Sequence, residues 1–358
     1  MNTLVLDNII FSLQYGGGAS VVWSEHISRL LKDNRFDVSF IEYENNNIFR
    51  KELAIPNNRI KTISDRWLKL LRYIDVNNKK TIPYIFHSSH YRIDKCRFAR
   101  NVTTVHDFVY EYYVKGIRKK IHSAQKWNSI RKADKIICIS ESTKKDLLHF
   151  LPDIEEDRIA VVYNGVDDCY HLIISETEYE LNIPFSTGEY ILYVGCRHTG
   201  YKNFGLVVDV CKKIKKPLMI VGGEPVTNEE ASWLSEQLGN RYHTMRGIST
   251  IALNELYNRA FAVLYPSFYE GFGIPVVESQ RAGTPVICFR RSSIPEVAGD
   301  TALCMSEYTV DAVIERLKYL EQEEYRKKEI EHGLINSQRF SWDRTYQQTT
   351  DIYLSLLE

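Results

Sequence analysis

Short apolar runs alternate with amphipathic stretches along almost the whole chain, which is the pattern of parallel strands wrapped by helices. In the first half, strands are predicted at Leu4–Phe11, Asp37–Ile41, Tyr84–His87, Val102–Val105, Lys135–Ile139 and Ile159–Val162. Helical periodicity covers Val21–Leu31, Lys119–Lys132 and Ser142–Phe150. The second half repeats the theme, with strands at Tyr190–Val194, Leu218–Val221, Phe261–Tyr265 and Val286–Phe289 and helices near 204–214, 227–238, 252–259 and 276–282. Two doubly wound α/β domains are therefore expected. Periodicity fades between Asp167 and Gly188, and Asn164-Gly165 gives a turn signal there. The expected division is residues 1–168, residues 169–340 and a terminal helix over 341–358, entered from Phe340-Ser341-Trp342-Asp343 with Ser341 as its cap.

A chain of 358 residues has room for two cores, and its 44% hydrophobic and 26% charged composition excludes a disordered or fibrous class. No apolar run approaches the ~20 residues that span a bilayer, and Asp7 and Gln14 interrupt the first one, so a strand is expected there in place of a signal peptide. The expected location is cytoplasmic, with the inner face of the cell membrane as a further possibility. Seven cysteines without a Cys-x-x-Cys pair point to reduced thiols, with neither a disulfide framework nor a zinc site. The net charge is zero, yet residues 1–168 carry 27 Lys and Arg against 21 Asp and Glu, while residues 169–358 carry 19 against 25. Part of the basic excess is local. Lys115, Arg118, Lys119, Lys120, Lys126, Arg131 and Lys132 occur with no acid among them, around Trp127. That stretch reads either as a solvated helix face or as a surface for an anionic membrane or a phosphorylated acceptor.

Candidate chemistry concentrates after predicted strands, where open parallel sheets place their ligands. Glu270 and Glu278 bracket the segment that follows Phe261–Tyr265, with Gly271, Phe272, Gly273, Ile274 and Pro275 between them. The glycines let backbone approach a ligand and Pro275 suits a first helical turn. Free N–H groups there favour an anion, and the two carboxylates can accept from hydroxyls, a combination suited to a sugar attached to a phosphate. Arg197 and Lys202 share the loop Gly195–Asn203 and could converge on a diphosphate, replacing a divalent metal; no Asp-x-Asp cation site occurs in the chain. His106, before Asp107, ends another strand and could donate to a sugar hydroxyl or a phosphate. Gly16, Gly17 and Gly18 precede the first predicted helix and would open backbone amides to a ligand. Their spacing does not match Gly-x-Gly-x-x-Gly, which disfavours a nicotinamide dehydrogenase.

Taken in order, these elements resemble the large family 4 of retaining glycosyltransferases, also described as glycosyl transferases group 1. The resemblance is carried by Glu270 to Glu278, Ala282-Gly283-Thr284-Pro285-Val286-Ile287 and Ser292 to Asp300. Thr104-Val105-His106-Asp107, Ile139-Ser140-Glu141-Ser142, Tyr163 to Asp167 and Phe340-Ser341-Trp342 support it. It implies the GT-B fold: two Rossmann-like domains facing across a cleft, an acceptor-binding first domain, a donor-binding second domain and a C-terminal helix crossing back to the first. It further implies that Glu278 accepts from ribose hydroxyls, Glu270 holds the donor sugar, and the amides of Gly271 to Ile274 contact sugar and diphosphate. Arg197 and Lys202 would stabilise the leaving diphosphate, and His106 would reach the sugar from the other domain. The family often has Gly and Arg adjacent, whereas Cys196 separates Gly195 from Arg197 here, so Lys202 is the safer assignment. The expected activity is retaining, metal-independent hexosyl transfer from a nucleotide diphosphate sugar to a glycan or lipid-linked glycan in bacterial surface polysaccharide assembly. No cofactor or nucleic-acid partner is expected, and peripheral contact with an anionic membrane is an open reading. A nucleotide-sugar epimerase of related fold and a low-activity nucleotide-sugar-binding subunit are the alternatives.

Overall fold

The computed structural model describes residues 2–64, 66, 68–175, 179–301 and 303–358, and the chain divides into two compact units. The first comprises Met1–Gly165 and Trp342–Glu358, the second Val166–Ser341. The division falls at the Asn164-Gly165 turn, three residues before the expected position.

The first unit holds a seven-stranded, wholly parallel sheet. Its strands are β1 (Asn2–Asp7), β2 (Phe36–Tyr43), β3 (Ile60–Ile63), β4 (Tyr84–Ser88), β5 (Ala99–Val105), β6 (Lys135–Cys138) and β7 (Ile159–Val161), in the order β3-β2-β1-β4-β5-β6-β7. Both faces are covered, as parallel sheets require. Leu4 and Leu6 point into one core with Trp23, Ile27, Phe36, Phe40 and Tyr353, and Val5 points into the other with Ile41, Tyr43, Tyr84 and Phe86. The predicted first strand was Leu4–Phe11; the strand ends at Asp7, and Ile10–Leu13 is a single helical turn whose Ile10 and Phe11 are buried, which prolongs the apolar run beyond the strand.

The second unit has six parallel strands, β8 (Ile191–Val194), β9 (Leu218–Val221), β10 (Tyr242–Met245), β11 (Ala262–Tyr265), β12 (Val286–Phe289) and β13 (Cys304–Met305), ordered β10-β9-β8-β11-β12-β13. In each sheet the strand order reverses once, between β1 and β4 and between β8 and β11, and such switch points open a crevice at the carboxyl ends.

The terminal helix Trp342–Ser355 packs on the first unit. Thr345 donates to the Tyr163 carbonyl at 2.7 Å, Tyr346 to Asp33 at 2.6 Å, and Arg29 pairs with Asp343 at 2.7 Å. In its last turn the buried Tyr353 hydroxyl lies 2.8 Å from His26 Nε2 and 2.6 Å from His87 Nδ1, and His87 Nε2 lies 2.9 Å from Thr104 Oγ1. Burial holds His26 neutral, its pKa lowered to about 3. Unfolded histidine protonates near 6.5, so this joint contributes stability above that pH and loses it as the pH falls from ~6.5 toward 3. Tyr353→Phe leaves two buried imidazole nitrogens short of a partner; urea denaturation of the variant should show a loss of about 2 kcal/mol in the first unit.

Candidate active site

Three loops of the second unit meet at the carboxyl ends of β8, β11 and β12. Glycine and serine set their shape. Gly273 has φ +96 and caps the eight-residue helix Ile274–Arg281 without a side-chain acceptor. A Cβ on Gly273 would meet Ile294 Cδ1 at 2.6 Å. The residue is therefore required by both its backbone conformation and the close approach of Ile294. The amide of Glu270 donates to Ser292 Oγ at 2.8 Å, and Ser293 Oγ donates to the carbonyls of Glu270 and Phe272 at 2.9 and 3.0 Å. Phe272 turns its ring into the core against Phe340, edge on at 5.4 Å, so it can offer a ligand only its backbone.

Within this frame the Lys202 ammonium lies 2.5 Å from Glu270 Oε1 and 3.4 Å from the Tyr265 hydroxyl. The two residues are 68 positions apart and come from opposite sides of the β8–β11 switch point. An ammonium has three donors, so Lys202 keeps capacity for an anion after meeting Glu270 and Tyr265. Thr199 Oγ1, on the same loop, is buried without a partner.

Glu278 stands one turn into the helix and accepts from the Tyr257 hydroxyl at 2.8 Å, with Tyr170 as a second hydroxyl donor. Burial pushes its carboxyl up to about 7, against the opposing effect of the two tyrosines. Among the described residues no cation acts on it. The carboxylate is thus partly desolvated and under-partnered, able to gain from further hydroxyl donors.

Arg197 departs from expectation. Its Nε donates to Glu230 at 2.6 Å, Nη1 to the Gly222 carbonyl at 2.7 Å and Nη2 to the Glu224 carbonyl at 2.6 Å. The side chain is buried and Glu230 neutralises it, so it ties the β8 loop to the segment after β9 and does not converge with Lys202. In the first unit, His106 follows β5 and lines a cavity of about 40 Å³ with Trp23, His26, His87, Asn164 and Tyr346. That is the scale of a water or two, well below a sugar. Gly16, Gly17 and Gly18 are exposed at the start of the helix Gly18–Leu30. The basic stretch is not one face. Lys126 is wholly buried and paired with Glu111 at 2.7 Å, and Lys119 donates to the Glu111 carbonyl, while Lys115, Arg118 and Lys120 are exposed. Sequence reading missed Tyr257, Tyr170 and Glu230. Tyr257 carries the plain signal of an apolar helix face, and nothing local marks its hydroxyl.

Residues 15–169 match Glycosyltransferase Family 4 and residues 177–336 match Glycosyl transferases group 1. The chain belongs to the family 4 glycosyltransferases. Among curated relatives, O-antigen chain mannosyltransferase B of Escherichia coli is 27% identical over 301 residues, covering 75% of this chain and 74% of that protein. O-antigen chain mannosyltransferase RfbU of Salmonella typhimurium is 26% identical, covering 72% and 69%. The fold is GT-B. Sucrose-phosphate synthase from Thermosynechococcus elongatus superposes with a TM-score of 0.77 at 16% identity over 99% of both chains. HepE of Anabaena, in complex with UDP and glucose, gives 0.70 at 15% identity over 98% of this chain and 99% of that one.

In this glycosyltransferase the state of Glu278 sets a pH-dependent strain. Its folded pKa lies above the unfolded value of 4.5, so the folded state holds the extra proton and stability falls as the pH rises from 4.5 through about 7. Glu278→Gln removes that charge; thermal denaturation at pH 8 should show a more stable ligand-free protein, by at most about 3 kcal/mol.

Proposed function

We propose that the protein is a retaining, metal-independent hexosyltransferase that moves a sugar from a nucleotide diphosphate sugar to a glycan or lipid-linked glycan during assembly of a bacterial surface polysaccharide. The observation that carries this reading is the junction of Lys202, Glu270 and an uncapped helix N-terminus at the β8–β11 switch point, with Glu278 one turn beyond. Glu278 accepts from the ribose hydroxyls. Glu270 accepts from the sugar, and the amides from Gly271 to Ile274 donate to sugar and diphosphate.

Cleavage of the bond between the anomeric carbon and phosphate puts positive charge on the sugar and negative charge on the diphosphate. Lys202 and the helix start stabilise the departing anion without reorganising, which is the largest kind of help an enzyme gives such a step. A departing phosphate oxygen on the face of the incoming hydroxyl takes its proton, and configuration is retained. Arg197 acts at a distance, holding the loop that carries Lys202. The relatives named as mannosyltransferases make mannose the first sugar to try.

Calorimetric titration with UDP, GDP, ADP and dTDP in EDTA tests the donor site. One diphosphate should bind without metal, at least tenfold more weakly to Lys202→Ala and to Glu278→Ala, and more tightly as the pH rises through about 7 and Glu278 ionises. Binding that depends on a divalent cation, or that ignores both substitutions, would overturn the assignment.

No helix among the described residues is long and apolar enough to cross a membrane. Contact with an anionic bilayer is the reading that the first unit supports. Ile117 is 68% exposed and Ile121 45%, beside Tyr112, Tyr113, Lys115, Arg118 and Lys120. Cosedimentation with phosphatidylglycerol vesicles should occur in dilute buffer and vanish at about 1 M salt, where the Debye length is ~3 Å. Ile117→Glu combined with Ile121→Glu should abolish it; unchanged binding would remove the idea.

A further inference from the structure

Buried polar atoms without partners gather at one place in the first unit. Arg72 Nε, His122 Nδ1 and Gln125 Oε1 are all buried and unpaired, and Gln125 Nε2 donates to the Arg72 carbonyl. Arg72 Nη2 lies 3.3 Å from His90 Nε2. The His122 ring stacks on Tyr110 at 3.7 Å, with Tyr91 edge on at 5.6 Å and His90 at 5.9 Å. Residues this enclosed normally find partners, and His122 is only 8% exposed. His90 follows β4 at the β1–β4 switch point, and His106, which follows β5, is near enough to act on its charge.

We propose that Arg72, His90 and His122 form a binding site for a phosphate group, and that this phosphate belongs to the acceptor. The second clause rests on the transferase reading; the first does not. Arg72 supplies the fixed charge and Nε, the imidazoles supply N–H donors from packed rings, and Gln125 Oε1 accepts from a neighbouring hydroxyl. The carboxylates nearby are already engaged. Glu111 is paired with Lys126 and accepts from Ser123 at 2.8 Å, and Asp107 Oδ1 accepts from the Val109 amide at 2.9 Å. Without a ligand, burial and the charges of Arg72 and Lys126 hold His90 well below its ordinary pKa; burial, Lys126 and Arg72 lower His122 to about 4, against Glu111 and Asp107. An anion between them relieves that repulsion. The stack of His122 on Tyr110 fixes the ring, so little order is lost on binding.

The test uses the whole chain with nitrogen-labelled histidine. Ring signals of His90 and His122 are followed by NMR during titration with decyl phosphate, inorganic phosphate and decyl glucoside. Both rings should shift with decyl phosphate and stay in place with decyl glucoside. Equal affinity for inorganic phosphate would mean that the site reads the phosphate alone; a preference for decyl phosphate would assign it to a lipid-linked group. Arg72→Gln and, separately, His122→Gln should weaken decyl phosphate about tenfold to a hundredfold while leaving nucleoside diphosphate affinity unchanged. Unshifted rings, equal response to decyl glucoside, or wild-type affinity in both variants would overturn the proposal. Loss of nucleoside diphosphate binding with phosphate binding intact would sink only the transferase reading.

Discussion

A parallel sheet runs all its strands one way, so every loop at its carboxyl edge opens on the same side, and the place where strand order reverses is left uncovered. The chemistry described here depends on that constraint. In the second sheet it brings Lys202, after β8, to within 2.5 Å of Glu270, after β11. In the first it brings His90, after β4, near His106, after β5. The two sheets use the same geometry for different charge patterns: cation, carboxylates and an open helix start in one, a cluster of donors around Arg72 in the other.

Electrostatics separates the two carboxylates of the second unit although they lie on one short segment. Glu270 meets an ammonium directly, and the contact holds Lys202 in place. Glu278 meets the hydroxyls of Tyr257 and Tyr170, and burial raises it to about 7. A carboxylate in that condition destabilises the empty protein and gains most from new hydroxyl donors. Arg197 shows the converse. Glu230 neutralises its charge and two carbonyls take further N–H groups, so it is held away from Lys202 and fixes the shape of its loop.

How much of this was legible follows from where each signal is stored. Strands β9 and β12 coincide with their apolar runs because they are central and buried on both faces. Strands β3, β10 and β13 went unseen: β3 and β10 are only half-buried edges and β13 is two residues long, so their sequences carry little pattern. Glu270, Glu278 and Lys202 stood out because glycine and proline beside them announce a loop and a helix start. The partners of those residues did not. Tyr257 donates to Glu278 from a helix whose sequence says only that one side is buried, and Glu230 reaches Arg197 across 33 positions. Lys126 was read as part of an exposed basic face because periodicity cannot distinguish a solvated lysine from one that has found Glu111.

The same limit explains why the cluster around Arg72 is a structural finding. Arg72 lies in the turn after a short helical segment, His90 in a loop after a strand and His122 on a long helix, and none belongs to a motif. What marks the cluster is a deficit: Arg72 Nε and His122 Nδ1 are withdrawn from water without a partner, with Gln125 Oε1 beside them. A purely structural cluster would be expected to match Arg72 with a carboxylate, as Arg197 is matched by Glu230 and Lys126 by Glu111. The chain resolves buried cations in that way at Arg92 with Asp7 as well, and among the described residues no carboxylate pairs with Arg72, which contacts His90 at the switch point where such a fold places ligands.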